Sequence, residues 1–304
     1  MWIKGTQSIV SKILYKILLK GKTLPAKRVE PDYAEERQKS EARMSRFKIS
    51  KRCKISRCKL QHATIEFMNV EGALEEPLLL YIHGGGFSMG SVAESRKYLS
   101  WFALSAGMNA ASCEYRLAPE HPFPAALEDV AEVYTYLLKS GYQADKIVLM
   151  GESAGGELCL ALALWLKDNN MPLPRGIYLM CPVTNLSITG GSRAALHKKD
   201  PIIYKDINEE IMATYAPREK PANPYLTPVY GDISGFPPLL LQVGEFDPLL
   251  DDSLQFYEKA KEANIDAKIS VWPKMWHVFQ VMWVMKEARK ARDEGIRFIR
   301  NLIT

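Results

Sequence analysis

The sequence predicts an α/β fold with a mostly parallel sheet covered by helices on both faces, and three observations predict it. Short apolar runs alternate with helical patterns through most of the chain, which is the rhythm of βαβ crossovers. Two glycine-rich motifs each follow directly on one of those apolar runs, so strands feed tight turns. The length, 304 residues, lets one domain spanning 1–304 bury a full core. The 47% hydrophobic and 25% charged content is ordinary for a soluble globular chain and argues against disorder.

The elements follow in order. Trp2, Ile3, Ile9, Val10, Ile13, Leu14, Ile17 and Leu18 recur at helical spacing, with Lys4, Lys12, Lys16 and Lys20 among them. The lysines interrupt any signal-peptide core and make the segment too charged to span a membrane. Two readings remain: a helix docked over the active site, or an amphipathic helix lying on a membrane. The docked helix is the reading adopted, because apolar stripes at this spacing are usually buried against protein. The basic run from Arg46 to Lys59 holds Lys48, Lys51, Arg52, Lys54 and Arg57. It lacks aromatic interleaving or a nucleic-acid motif, so it reads as a solvated face beside a strand, with no nucleic-acid partner. Cys53 and Cys58 have no second Cys or His pair at ligand spacing, and five cysteines at irregular spacing argue against a disulfide framework. No metal is called for, and a reducing cytoplasm is the expected compartment.

Strands are predicted at 64–68, 78–82, 110–114, 146–150, 177–180, 239–243 and 268–272, with helices at 125–139, 154–168, 253–263 and 278–303. The interval between Leu186 and Pro224 has no strand signal and one helical stretch, 207–215, so it reads as an insertion above the sheet.

Two motifs carry chemistry. Gly151-Glu152-Ser153-Ala154-Gly155 lies between an apolar strand and a helix, the setting of a nucleophile elbow in an α/β-hydrolase. The turn must be sharp for the serine hydroxyl to stand clear of the sheet. His83-Gly84-Gly85-Gly86-Phe87 follows the strand at 78–82 and offers backbone N–H groups to a developing oxyanion. No P-loop lysine follows it, and its spacing does not fit a dinucleotide loop.

A serine elbow needs a base, and the chain has five histidines. His62 precedes an early strand, His83 belongs to the glycine loop, His121 lies in a proline-rich loop, and His197 lies in the insertion. His277 follows the last strand and is the predicted base. Between serine and histidine stands Gly244-Glu245-Phe246-Asp247-Pro248, where Asp247 is the preferred orienting acid and Glu245 the runner-up. Asp251 and Asp252 read as charges at a helix N-terminus. Trp276 and Phe279 could bound a small acyl pocket or belong to the core, with a slight preference for the pocket.

These stretches, together with EYRLAPEHPFPAALED at 114–129, DPLLDD at 247–252 and HVF at 277–279, resemble the hormone-sensitive-lipase-like family of α/β-hydrolases, in its bacterial esterase branch. The resemblance spans about residues 75–304. It implies ester hydrolysis through a Ser153-Asp247-His277 triad, without a cofactor, under a cap of N-terminal helices plus an insertion after the sixth strand. The cap would then comprise about 1–45 and about 185–225. Glu152 stands where Asp is more usual, and Val278 replaces the usual Gly. The mechanism expected is attack by Ser153, proton transfer to His277, and an oxyanion held by the N–H groups of Gly84, Gly85 and Ala154. The partner expected is a small-molecule ester with a short acyl chain. The alternatives are a lipase working at lipid interfaces, an amidase or peptidase using the same triad, and a non-catalytic binding member of the fold. A homo-oligomer is compatible with all of them.

Overall fold

The computed structural model describes residues 1–22, 32–44 and 46–303. Its strands are β1 (Cys53–Lys59), β2 (Thr64–Val70), β3 (Leu78–Ile82), β4 (Asn109–Glu114), β5 (Ile147–Glu152), β6 (Gly176–Met180), β7 (Leu239–Gly244) and β8 (Ala267–Trp272). They form one eight-stranded sheet in the order β1-β2-β4-β3-β5-β6-β7-β8. The two pairings at the β1 end are antiparallel and the remainder are parallel. Parallel neighbours need crossovers, and the helices supply them.

Burial follows the pleat. Leu78, Leu80 and Ile82 of β3 join a core with α4 (Ala125–Lys139), α5 (Ala154–Asp168) and α8 (Leu250–Glu262) on one face. Leu79 and Tyr81 point the other way, onto α3 (Val92–Ala106) and α9 (Lys286–Ile303). With both faces covered, β3, β6 and β7 are buried at every position. Cys53 and Cys58 stand on opposite faces of β1, one in each core, so they make no pair.

Two differences from the sequence reading have local causes. The final helix begins at Lys286 rather than at 278, because Val278 takes a left-handed backbone (φ 50°) and a short 3₁₀ turn follows at Phe279–Val281. α3 was not anticipated, although Ser91 caps its start by accepting the Glu94 N–H and Gly107 ends it at φ 72°.

Above the carboxyl ends of the strands lies the insertion between β6 and β7, with α6 (Gly191–Leu196) and α7 (Ile207–Thr214). α2 (Tyr33–Met44) lies beside it, held by Arg37, which donates to the carbonyls of Ser88 and Ala118 and pairs with Glu120. Residues 23–31 and 45, within the expected cap segment, lie outside the described residues. α1 (Ile9–Gly21) does not sit over the cavity. Its Leu14, Tyr15 and Leu18 find apolar partners on the outer side of the β8 end, where Tyr15 stacks on Trp276 with ring centres 5.7 Å apart. No helix among the described residues is long and apolar enough to cross a membrane.

Candidate active site

β5 ends at the elbow and holds Ser153 at φ 53°, ψ −121°, a strained conformation that lifts the side chain off the sheet. The turn is fixed by its backbone: the Ser153 N–H donates to Met180 O (3.0 Å), and the Ser153 carbonyl accepts from Gly156 and Glu157. Gly155 explains the second glycine of the motif. A Cβ there would lie 2.1 Å from Ile82 O and 2.5 Å from His83 O, so any side chain would push α5 off β3.

The glycine loop after β3 meets this elbow. His83 is buried, stacks on Tyr115 at 4.2 Å, and has Nδ1 2.8 Å from Gly84 O. Burial lowers its pKa to about 4, so it is a neutral, turn-shaping group and not a base. One of the expected oxyanion donors already has a partner. The Gly84 N–H donates to Glu152 Oε1 at 2.8 Å. The carboxyl group one residue before the serine thus reaches back to the glycine loop. Among the described residues, no hydrogen bond engages the N–H groups of Gly85, Gly86 or Ala154. Burial pushes the Glu152 carboxyl up to about 7, against hydrogen bonds from the Tyr81 hydroxyl and the Gly84 N–H that favour its charge.

His277 follows β8 and is buried. Its Nδ1 lies 3.1 and 3.0 Å from the two carboxylate oxygens of Asp247, which is fully buried in the turn after β7. Asp247 is oriented in turn by the Leu249 N–H, which donates to Oδ1 at 2.8 Å. Glu245 instead accepts from the Lys274 N–H, and of the two acids it is Asp247 that bonds His277. Burial works against the imidazolium, but the charge and hydrogen bond of Asp247, with the charge of Asp200, outweigh it and hold the His277 pKa above its ordinary value.

Asp200 is a site residue that the sequence reading missed. Its carboxylate accepts the His277 N–H at 2.6 Å and the N–H groups of Ile202 and Ile203 at 2.7 Å. No motif signals it, because it lies in the insertion, 77 residues from the histidine. Asp252 has a further part that the sequence does not show. It stands in the first turn of α8 as the sequence reading has it, but it is also fully buried, pairs with Arg193 at 2.8 Å and accepts the N–H groups of Thr184 and Asn185. Asp251 accepts from the Ser192 N–H. Both therefore tie the insertion to α8.

Ser153, His277 and Gly84 to Gly86 line one cavity of about 1040 Å³, within the range of small-molecule sites. Its outer wall comes from Tyr33 and Met44 of α2 and from Ile207 and Ile211 of α7. Trp276 and Phe279 are fully buried and do not line it, so they belong to the core and say nothing of the acyl pocket. His62 and His121 are exposed on loops away from the cavity, and His197 lies partly exposed in the insertion. The Cys181 thiol lies beside Asp247 and His277 and accepts the Val278 N–H at 3.3 Å.

Val278 occupies a left-handed backbone that β-branched residues resist. Val278→Gly is therefore expected to be neutral to stabilising by up to about 1 kcal/mol, since the relieved strain exceeds the added chain entropy. A thermal-unfolding comparison checks this; a clear drop in Tm would show that the valine side chain contributes more packing than its backbone costs.

A family model described as alpha/beta hydrolase fold matches residues 79–281, which include the glycine loop, the elbow, Asp247 and His277. The chain is similar to an esterase of Acinetobacter venetianus, 34% identical over 228 residues that cover 74% of this chain and 75% of that protein. It is also similar to an acetyl-hydrolase of Streptomyces hygroscopicus, 33% identical over 225 residues, covering 73% and 75%. A solved structure described as an esterase from the bacterial hormone-sensitive lipase family superposes with a TM-score of 0.90 at 32% identity, covering 99% of this chain and all of that one. With the elbow, the glycine loop and the Asp247-bonded His277 meeting at one cavity, the chain belongs to the alpha/beta hydrolase fold family, in its hormone-sensitive-lipase-like branch.

Proposed function

We propose that this protein is a serine carboxylesterase that hydrolyses short-chain acyl esters through an acyl-enzyme. The observation that carries the reading is the buried Asp247–His277 pair, 3.0 Å apart, whose histidine lines one cavity with a serine on a strained elbow. In this mechanism Ser153 Oγ attacks the ester carbonyl carbon while His277 Nε2 takes its proton. Asp247 holds the Nδ1–H tautomer and stabilises the imidazolium. The carbonyl oxygen becomes an oxyanion facing the N–H groups of Gly85, Gly86 and Ala154; Gly86 replaces the Gly84 of the sequence reading. Collapse breaks the bond to the alcohol oxygen, which leaves with the proton from His277. Water then repeats the sequence on the acyl-serine and releases the acid. The backbone donors are fixed before charge develops, which is where such sites gain most of their rate.

In this reading 1–304 is one domain whose cap consists of α2 and the insertion, while α1 braces that cap from outside. Relatives described as acetyl-hydrolases support a short acyl chain. The cavity exceeds what an acetyl group fills, so the remaining volume falls to the alcohol. Five free cysteines, four of them buried, favour a reducing compartment, and we assign the protein to the cytoplasm.

A panel of p-nitrophenyl esters tests the substrate class: kcat/KM should peak at short acyl chains, and a peak at long chains would oppose it. The pH profile tests the base. His277 must be neutral to accept the proton, and its pKa is held above the ordinary value of about 6.5. As pH falls, kcat/KM should therefore decline with a midpoint above about 6.5. A plateau reaching well below that value would contradict a histidine base in this setting.

A further inference from the structure

α1 is apolar on two sides, and the protein covers one of them. Leu14, Tyr15 and Leu18 pack on the cluster around Trp276, and Ser8 and Ser11 bond the Glu287 carboxylate at 2.9 and 2.5 Å. These contacts fix which side faces out. On that side stand Ile9, Ile13 and Ile17, 75%, 55% and 61% exposed, at the four-residue spacing of a single stripe. Val10 and Trp2 are exposed as well. Lys12, Lys16 and Lys20 repeat at the same interval and are also exposed, and the first acidic residue of the chain is Glu30. Isolated surface hydrophobics need no explanation, but a continuous stripe of large ones does. A second copy of the chain would bring two lysine rows into one dry interface with no acid on this helix to pair them. A bilayer surface offers acyl chains to the isoleucines and anionic headgroups to the lysines at once.

We propose that the outer face of α1 docks the protein on an anionic lipid surface. The inference does not depend on the esterase reading. The test is sedimentation of the full chain with phosphatidylcholine vesicles, with and without phosphatidylglycerol. The protein should pellet with the anionic vesicles and be released by salt. Ile13→Ser/Ile17→Ser and Lys12→Glu/Lys16→Glu should each weaken binding at least about tenfold, since each removes one of the two required attractions. Because these side chains point outward, both variants should keep wild-type turnover of soluble esters and wild-type Tm. Failure of the wild type to pellet, or equal pelleting by both variants, overturns the proposal. A wild-type dimer that Ile13→Ser/Ile17→Ser converts to monomer assigns the face to a second copy and overturns it too.

A separate observation concerns Asp200. Its buried carboxylate joins the insertion to the backbone of His277 at 2.6 Å, and its own segment is clamped from outside. The Lys22 ammonium donates to the carbonyls of His197, Asp200 and Ile203 at 2.7, 2.7 and 2.6 Å, and the Tyr15 hydroxyl donates to Lys199 O. We infer that Asp200 is a positioning residue that sets the proposed base from within the cap; this rests on the esterase reading. The groups facing His277 are Asp247 after β7, Asp200 and Arg193 from the insertion, Glu152 at the end of β5, and Cys181 after β6. Burial and the nearby charge of Asp247 push Asp200 up to about 6, and its charge favours the imidazolium.

Asp200→Asn keeps the shape, removes the charge, and sets its NH2 group against either the His277 N–H or the N–H groups of Ile202 and Ile203. We expect kcat to fall at least about tenfold with KM little changed, the pattern of a group acting in the transition state. The acid limb of kcat/KM should move to lower pH, because His277 loses a neighbouring negative charge. Full labelling of Ser153 by a fluorophosphonate shows that the variant is folded. Lys22→Met, which loosens the clamp without touching the cavity, should move kcat in the same direction by less. Wild-type activity that survives Ser153→Ala would sink the parent reading. Triad-dependent activity with unchanged kcat and an unmoved limb in Asp200→Asn would sink the positioning role alone.

Discussion

Ser153→Ala should lower ester turnover by about 10⁶-fold in kcat, comparable to removing the whole triad in serine hydrolases, because nucleophile, base and acid act as one unit. The loss should fall on kcat, since the hydroxyl contributes little to holding the ester before attack. The fold should survive. The elbow is held by backbone bonds to Met180, Gly156 and Glu157 that alanine keeps, and alanine meets the same backbone strain at φ 53° that serine does. Steady-state kinetics on a p-nitrophenyl ester, with circular dichroism as the control for folding, checks this. A loss smaller than about 100-fold would mean that another group attacks the carbonyl.

The second large effect is expected at Asp247. Asp247→Asn should cost about 10⁴-fold, because the amide can donate to Nδ1 and so stabilise the tautomer whose Nε2 carries a proton and cannot accept one. The carboxylate is fully buried and the amide is nearly isosteric; its oxygen can still accept the Leu249 N–H. Stability should therefore change far less than rate. Glu245→Gln, by contrast, should leave kcat near wild type, since that side chain is spent on the Lys274 N–H. The reverse pattern would move the acid from Asp247 to Glu245.

Much of this site is legible in the sequence because its chemistry constrains backbone as well as side chain. The elbow needs glycine where a Cβ would strike the end of β3, and that need writes Gly155 two residues after the serine. The strands that carry the motifs are buried on both faces, so they read as short apolar runs. β1 does not: its exposed basic positions, burying little more than Cys53, make it look like a solvated charge run. α3 carries its signals only at its ends, Ser91 and Gly107, and these are easily taken for a loop.

Other features are illegible for a physical reason. The partner of the Gly84 N–H is the Glu152 side chain, a contact across 68 residues that local pattern does not show. Asp200 reaches His277 only after the insertion folds over the sheet. Periodicity shows that α1 has an apolar stripe but not which surface covers it. Tyr15 found Trp276 and Phe246 instead of the cavity, and among the described residues Ile9, Ile13 and Ile17 stay largely exposed.

The central claim is that Ser153, activated by the His277–Asp247 pair, forms a covalent bond to the acyl carbon. The most direct measurement is intact-mass and peptide mapping after reaction with a serine-reactive organophosphate. The account predicts one adduct per chain, on Ser153, appearing in step with loss of activity and much more slowly in Asp247→Asn. Full inactivation with the adduct on any other residue, or with Ser153 unmodified, would contradict it.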